Sequence, residues 1–352
     1  MRRAVIGAFL ISVSCVAGAS PFVNVIAHPE IAALRPVTSL EQRAKSELPE
    51  QDSLPVVVLK FVPLEVDVWD RIRAGFQLPP LDIREVAESE AWYAARPELV
   101  TKILDRSRYY LFHIVDEIEK RGMPTELALL PFIESGYNPF ALSRAQASGL
   151  WQFIPETANR YKLPQANGLD ARRDVIASTA AALDHLQFLH SLFGDWHLAL
   201  AAYNWGENQV ARAIERNRAR GLAIDFPSLV LPEETRRYVP KLLAVKRMLM
   251  DEAKFRISLP KVPNRPYFTA VPRPATVDVA NAARLADMDV DEFRALNPAH
   301  GESIVNVSAS MPFVVPVERA QTFIERLNEF LEKEEIRRKM SKPVKARPSR
   351  QM

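Results

Sequence analysis

Between Thr179 and Phe193, the residues Thr179, Ala182, Leu186, Leu189 and Phe193 recur at alternating steps of three and four. That is the period of one face of an α-helix, and so continuous an apolar face has to be covered by other elements. A second series, Leu99, Ile103, Tyr110, Ile114 and Ile118, predicts another helix face. Gly122 ends that helix, and Pro124 opens a short, largely apolar one over Pro124 to Glu134. Glycine closes helices in left-handed backbone, and the missing N–H of proline costs nothing in a first turn. Asp195 caps a helix carrying Leu198, Ala201 and Ala202. Pro232 to Leu249 forms a last long helix, with a kink or break at Pro240. Glycine is scarce (11) and proline frequent (27), which suits helices joined by stiff loops better than a sheet. The expected fold class is mainly α.

At 352 residues the chain calls for one large domain with small appendages. Arg2 and Arg3 precede the apolar run Ala4 to Val16, and Ala17-Gly18-Ala19 is an A-x-A cleavage pattern. The run is too short to span a membrane. It reads as a signal peptide removed after Ala19, giving an exported protein of the periplasm or outer membrane. Lipidation at Cys15 is the lesser reading, because Ser12-Val13-Ser14 is a poor lipobox. Cleaved after Ala19, the mature chain would hold no cysteine and no disulfide. Residues 20 to 65 are rich in proline and mixed charge and read as a leader, partly disordered, in which Leu54 to Val62 could form a short strand. The helical domain follows over 66 to 256, opening with a helical extension. Leu259 to Pro266 is a linker within a small α+β appendage spanning 257 to 317. There Thr276 to Ala280 and Met311 to Val317 are expected as strands and Ala280 to Leu296 as helix. A charged helix and basic tail occupy 318 to 352. Arg337, Arg338, Lys339, Lys342, Lys345, Arg347 and Arg350 read as a solvated tail, with contact to an anionic membrane surface as the alternative.

The net charge of +3 gives no basic stripe for nucleic acid. The six histidines are dispersed at 28, 113, 185, 190, 197 and 300, none at metal-ligand spacing. Asp184-His185 lacks a nucleophile elbow, and no phosphate loop appears. No metal or cofactor is expected. Arg172-Arg173-Asp174 reads as a structural cluster at a helix start.

The chemistry concentrates in Glu134-Ser135-Gly136-Tyr137-Asn138-Pro139, Gly149 to Pro155 and Ala201 to Gly206. Glu134 follows the apolar run Leu129 to Ile133. Burial and the negative end of a helix dipole should both disfavour its charge, and Pro131 should leave a carbonyl unpaired nearby. A carboxyl kept protonated near neutrality is what a general acid requires. Taken alone, the segment fits a capping or paired glutamate at least as well. Turn residues straight after the acid would open it to a cleft. Ser143, Gln152 and Asn204 are neutral hydrogen-bonding groups suited to the amides and hydroxyls of a sugar. Tyr203 and Trp205 offer a phenol and a ring, although Trp151, Trp205 and Tyr137 also fit simple core packing.

These blocks resemble the lytic murein transglycosylases, specifically the membrane-bound type D branch. The resemblance runs over Trp69 to Phe76, Glu119 to Pro124, Ala128 to Ser135, Gly149 to Pro155, Arg172 to Val175, Gly194 to Trp196, Ala201 to Asn204 and Leu231 to Pro240. It implies a goose-type, lysozyme-like (SLT) catalytic domain acting on peptidoglycan glycan strands. The bond cleaved would be the β-1,4 bond between N-acetylmuramic acid and N-acetylglucosamine. Glu134 would serve first as acid and then as base, drawing a proton from the C6 hydroxyl of the muramic sugar, which attacks C1 and leaves a 1,6-anhydro end. A tethered hydroxyl replaces the second carboxylate of ordinary glycosidases through proximity. Ser143, Gln152, Tyr203 and Asn204 would bind substrate and orient the acid, with Ser135, Ile154 and Trp205 as further candidates. The chain departs from the family pattern at Trp205 and Asn208, and Asn167 to Ala171 lacks two usual aromatics. Leu296-Asn297-Pro298 is LysM-like, but no complete repeat can be counted, so dedicated glycan-binding modules are expected to be absent or degenerate. A true hydrolase and a non-catalytic glycan binder are the competing readings.

Overall fold

A computed structural model describes residues 67–341, apart from 167, 272–276 and 302–310. The signal segment, the leader and most of the basic tail lie outside the described residues. The helices are α1 Val68–Ala74, α2 Arg84–Ala94, α3 Pro97–Ser107, α4 Leu111–Lys120, α5 Leu130–Glu134, α6 Pro155–Arg160 and α7 Val175–Phe193. They continue with α8 Trp196–Trp205, α9 Glu207–Arg218, α10 Glu233–Met250, α11 Glu252–Phe255, α12 Val279–Leu285, α13 Val290–Leu296 and α14 Val317–Ser341. Two antiparallel pairs complete the described residues: β1 Gln165–Ala166 with β2 Leu169–Asp170, and β3 Phe268–Val271 with β4 Phe313–Pro316. The fold is mainly α, as the periodicity predicts.

The helix with the most regular apolar series lies at the centre. In α7, Thr179, Ala182, Leu186 and Leu189 are all buried, so it packs against α4 on one side and α8 on another. Asp174 caps its start, accepting from the Ala177 N–H at 2.7 Å, and Gly194 closes it at φ 65°. Asp195 caps α8 as predicted, accepting from the Leu198 N–H at 2.8 Å. The long α10 crosses α2 and α8. It runs unbroken from Glu233 to Met250 with Pro240 inside it. The lost hydrogen bond is offset by burial of Tyr238, Val239, Leu242, Leu243 and Val245 around it. Lys246 of the same helix meets the fully buried Glu126 at 2.7 Å, and Glu126 also accepts from the Gln77 and Leu78 N–H groups. This buried carboxylate is therefore satisfied.

Four expectations are corrected. The series from Leu99 to Ile118 belongs to two helices, α3 and α4, and Leu99 is exposed. The chain turns at Arg108–Tyr110, so Leu99 falls off the core face. Pro124 to Glu134 is a 3₁₀ segment, Thr125–Leu129, followed by the single-turn α5. Proline at position 131 lacks the N–H that would have continued the earlier turn. Of the strand expected over Thr276 to Ala280, Thr276 lies outside the described residues, while Val279 and Ala280 begin α12. Asp278 caps α12, accepting from the Asn281 N–H at 2.7 Å, and that cap outweighs the alternating pattern. The span Ala280 to Leu296 is two helices, α12 and α13, parted at Asp287 (φ 56°). The second expected strand is present as β4.

The appendage is pinned by Asn297, whose side-chain amide donates to the carbonyls of Phe293 (2.9 Å) and Val314 (2.7 Å). Its Oδ1 accepts from the Val314 N–H at 2.7 Å. Tyr110 reaches from the helical part to donate to the Ala295 carbonyl at 2.9 Å.

Candidate active site

Glu134 is the last residue of α5. The chain then reverses through Ser135, Gly136 (φ 58°) and Tyr137 (φ 51°). The Pro131 carbonyl collects the N–H groups of Ser135 (3.1 Å) and Tyr137 (3.0 Å) and the Ser135 hydroxyl (3.2 Å). The buried Tyr137 hydroxyl donates to the Ala128 carbonyl at 2.6 Å. These bonds fix the end of α5, so Glu134 projects from a rigid stub.

The loop from Asn138 to Ile154 faces it. Arg172 is buried, pairs with Asp170 at 2.8 Å, and donates to the carbonyls of Gln146 (2.6 Å) and Phe153 (3.2 Å). Gly149 lies at φ +85° against the Arg172 carbonyl, where a Cβ would collide. Only glycine permits this approach. The expected helix-start cluster thus also clamps the loop. Gln152 is held in left-handed backbone at φ 51°. Its amide nitrogen donates to the carbonyls of Gly149 (2.9 Å) and Ala141 (3.3 Å). That use of the N–H₂ leaves the amide oxygen as the group offered outward.

Loop, α5, α8 and α10 enclose a cleft of about 440 Å³. Glu134, Ser143, Gln152, Ile154, Tyr203, Asn204 and Trp205 all line it. Ser135 does not. Its hydroxyl points back to the Leu150 carbonyl at 2.9 Å and ties the acid's turn to the loop. Ser143 accepts from the Ala147 N–H at 3.0 Å and so shapes the rim. Tyr203 donates to the Trp151 carbonyl at 2.9 Å. Asn204 accepts from the Thr235 hydroxyl at 2.8 Å. Trp151 itself is core, with its ring N–H on Thr179 at 3.0 Å.

Glu134 keeps part of its surface open to the cleft, yet protein surrounds it closely enough to push its pKa up from 4.5 to about 7. Burial is the largest cause, the nearby Glu234 adds to it, and the hydrogen bond donated by Tyr238 and the field of Lys241 oppose it. The helix-dipole argument carries little weight, because α5 has a single turn. The carbonyl expected to be unpaired, that of Leu127, accepts from Leu130 N–H. His185, also in the cleft, is pushed down to about 4 by burial and stays neutral; Tyr161 bonds its Nδ1 at 3.0 Å.

Sequence reasoning gave no role to Tyr238, Glu234 or Lys241. Nothing in their spacing sets them apart from Glu233, Arg236, Arg237, Lys246 and Arg247 on the same helix, and their approach to Glu134 is made by helix packing. Two further carboxylates line the site. Glu207 is drawn up by burial but held below its ordinary range by its bonds to its own backbone N–H and to Arg160, at 2.8 Å. Glu234 is exposed beside Asn204. Among the described residues, no cluster of His, Cys, Asp and Glu could hold a metal ion, and no helix is long and apolar enough to cross a membrane.

The cleft thus sets a half-buried carboxyl, pushed up to about 7, among amides, hydroxyls and further carboxylates, which is the setting a general acid requires. Comparison with known proteins adds to this. Residues 114–225 match the family model for the transglycosylase SLT domain, and residues 267–331 match the LysM-like domain of lytic transglycosylase MltD. The chain thus carries a transglycosylase SLT domain followed by a LysM-like domain of the MltD type. It is 37% identical over 266 residues to membrane-bound lytic murein transglycosylase D of Escherichia coli strain K12, covering 74% of this chain and 58% of that relative. A putative tributyltin chloride resistance protein of Alteromonas is 49% identical over 120 residues, covering 33% of this chain and 58% of that relative. A soluble lytic murein transglycosylase of Salmonella typhimurium is 31% identical over 116 residues, 32% of this chain and 18% of that relative. The chain therefore spans less than two thirds of the length of the curated relatives it matches. The second family match places a LysM-like unit where the sequence alone yielded no countable repeat.

Proposed function

We propose that this protein is a peptidoglycan lytic transglycosylase, cleaving the β-1,4 bond from N-acetylmuramic acid to N-acetylglucosamine with formation of 1,6-anhydro ends. The observation that carries the reading is the Glu134 carboxyl, set at the edge of the cleft with a pKa of about 7 and bonded by Tyr238. At neutral pH a substantial fraction is protonated, so Glu134 can hand a proton to the bridging oxygen as the glycosidic bond breaks. The carboxylate so formed is stabilised by the Tyr238 hydroxyl and the Lys241 charge. It then takes the proton of the C6 hydroxyl as that oxygen bonds to C1. The acid is regenerated, and no water is consumed. The outward oxygen of Gln152 and the groups of Ser143, Tyr203 and Asn204 suit the acetamido and hydroxyl substituents of the sugar. The likeness to relatives named murein transglycosylases supports the substrate.

A hydrolase reading draws on Glu234, which lines the same cleft and could serve a water. Glu207 suits that task less, being tied to Arg160. Digestion of purified sacculi tests the proposal. The products should be muropeptides ending in the 1,6-anhydro sugar, and Glu134→Gln should lose at least roughly 10²-fold in rate. Reducing-end products would overturn it. Export by the N-terminal signal, cleavage after Ala19 and a periplasmic or outer-membrane location belong to the same proposal, in line with the name of a membrane-bound relative. The mass of the mature N-terminus tests them and separates cleavage from lipidation at Cys15.

A further inference from the structure

Beside the cleft lies a second groove of about 420 Å³ between α2, α3, α5 and α10. Trp92, Tyr93, Leu99 and Phe132 form its apolar wall, and Ile133 and Lys241 line both groove and cleft. The two depressions adjoin, sharing these two residues as a common wall, one of them immediately before Glu134. Trp92 is 47% exposed and Leu99 39%, a patch of large apolar side chains rimmed by charge, which marks a binding surface more than a packing fault. The indole is held in place. The Arg96 guanidinium lies 4.3 Å from its ring centroid without lining the groove, and Tyr93 packs edge-on at 5.1 Å. Of the cations on the opposite rim, Arg237 is paired with Glu88 at 3.3 Å and Glu233 at 3.2 Å. Lys241 makes no hydrogen bond or ion pair among the described residues and acts on Glu134 through its field alone.

We propose that this groove is a further saccharide subsite, in which a sugar of the glycan strand beyond those in the cleft lies on Trp92 while its anionic substituent is drawn to Lys241. The inference rests on the glycan-cleaving reading of the cleft. The occupant follows from continuity and chemistry. A polymer seated in the cleft can continue past Ile133 into the adjoining groove. A pyranose has an apolar C–H face that fits a fixed indole and a polar rim that fits charged edges. The lactyl group of muramic acid, or the stem peptide on it, carries the carboxylate that an unpaired lysine attracts. Retention of long strands at this point would favour repeated cleavage along one strand.

Trp92→Ala tests the subsite, because a half-exposed side chain on α2 can be removed with little effect on the core. On glycan strands of eight or more sugars, kcat/KM should fall about tenfold, mainly through KM, as for loss of one aromatic anchor. Tetrasaccharides, too short to fill cleft and groove together, should be cut at the normal rate. Trp92→Tyr should restore most of the long-strand activity. Calorimetry on the Glu134→Gln protein gives a readout independent of turnover. There N-acetylglucosamine hexamers should bind more tightly than trimers, and Trp92→Ala should erase that difference. Equal losses on long and short substrates, an unchanged long-strand rate, or a hexamer advantage that survives the substitution would overturn the inference. Failure of the unaltered protein to cut any glycan while the hexamer advantage still depends on Trp92 would sink the catalytic reading and leave the subsite standing.

Discussion

Glu134 should weigh against stability at neutral pH, and the size of the effect can be worked out. Its pKa in the folded protein is raised from 4.5 to about 7. Each unit corresponds to 1.36 kcal/mol, so full ionisation opposes folding by about 3 kcal/mol, or about 2 kcal/mol once partial exposure is discounted. The sign follows from where the proton binds more tightly. Folded Glu134 holds its proton better than unfolded, so its contribution is most favourable below pH 4.5, is lost as pH rises through about 7, and is flat above. Glutamine has nearly the same shape, stays neutral at every pH and still accepts from Tyr238. Glu134→Gln should therefore match the parent protein at acid pH and exceed it by about 2 kcal/mol at pH 8. In a chain of this size that amounts to a rise of roughly 5 °C in Tm. Thermal and urea unfolding of both proteins across pH 4 to 8 reads it directly. Curves that stay parallel over the whole range would refute the burial argument, whatever the activity of the variant.

Other perturbations bear on the same site. Tyr238→Phe removes the donor that favours the charged carboxyl, so the descending limb of the kcat/KM profile should move to higher pH by about one unit; an unmoved or acid-shifted limb contradicts the assignment. Gly149→Ala should cost about 2–4 kcal/mol, because its Cβ meets the Arg172 carbonyl in backbone only glycine tolerates; a parental unfolding midpoint would show that the loop can shift. Arg172→Lys should raise KM and lower stability almost as much as Arg172→Ala, since a compact ammonium lacks the planar fork that meets both Asp170 oxygens while reaching two carbonyls; full rescue by lysine would mean that charge alone holds the loop. Asn297→Ala cuts three buried bonds in the appendage and should destabilise it without changing turnover of short glycans; a fall in that turnover would show that the appendage shapes the cleft.

The core of the helical part was legible because its signal is local. The steps in α7, the cap Asp195 and the helix-start cluster ending in Asp174 each act within a few residues. The same locality explains the misses. Nothing between Leu99 and Ile118 announces the turn at Arg108–Tyr110, since the apolar spacing continues across it. Val279 and Ala280 alternate like a strand until Asp278 is recognised as a cap. In the site, the residues carried by one chain segment, Glu134 with Gln152 and Tyr203 with Asn204, were named in advance. Tyr238 was not. It meets Glu134 across 104 positions of sequence, a contact that helix packing creates and no spacing rule contains. For Glu134 the direction of the pKa shift was foreseen, but only burial proved a sound reason among those offered. The dipole fails on the length of α5, and the supposedly free carbonyl is bonded.

The central claim is that the sugar's own hydroxyl, and no water, attacks C1 once Glu134 has given up its proton. Digestion of sacculi in water enriched in heavy oxygen tests this most directly, by mass spectrometry of the new chain ends. The account predicts ends one water lighter than hydrolysis products, carrying no heavy oxygen, and absent with Glu134→Gln. Heavy oxygen at C1 would contradict it and transfer the chemistry to a water-activating carboxylate such as Glu234.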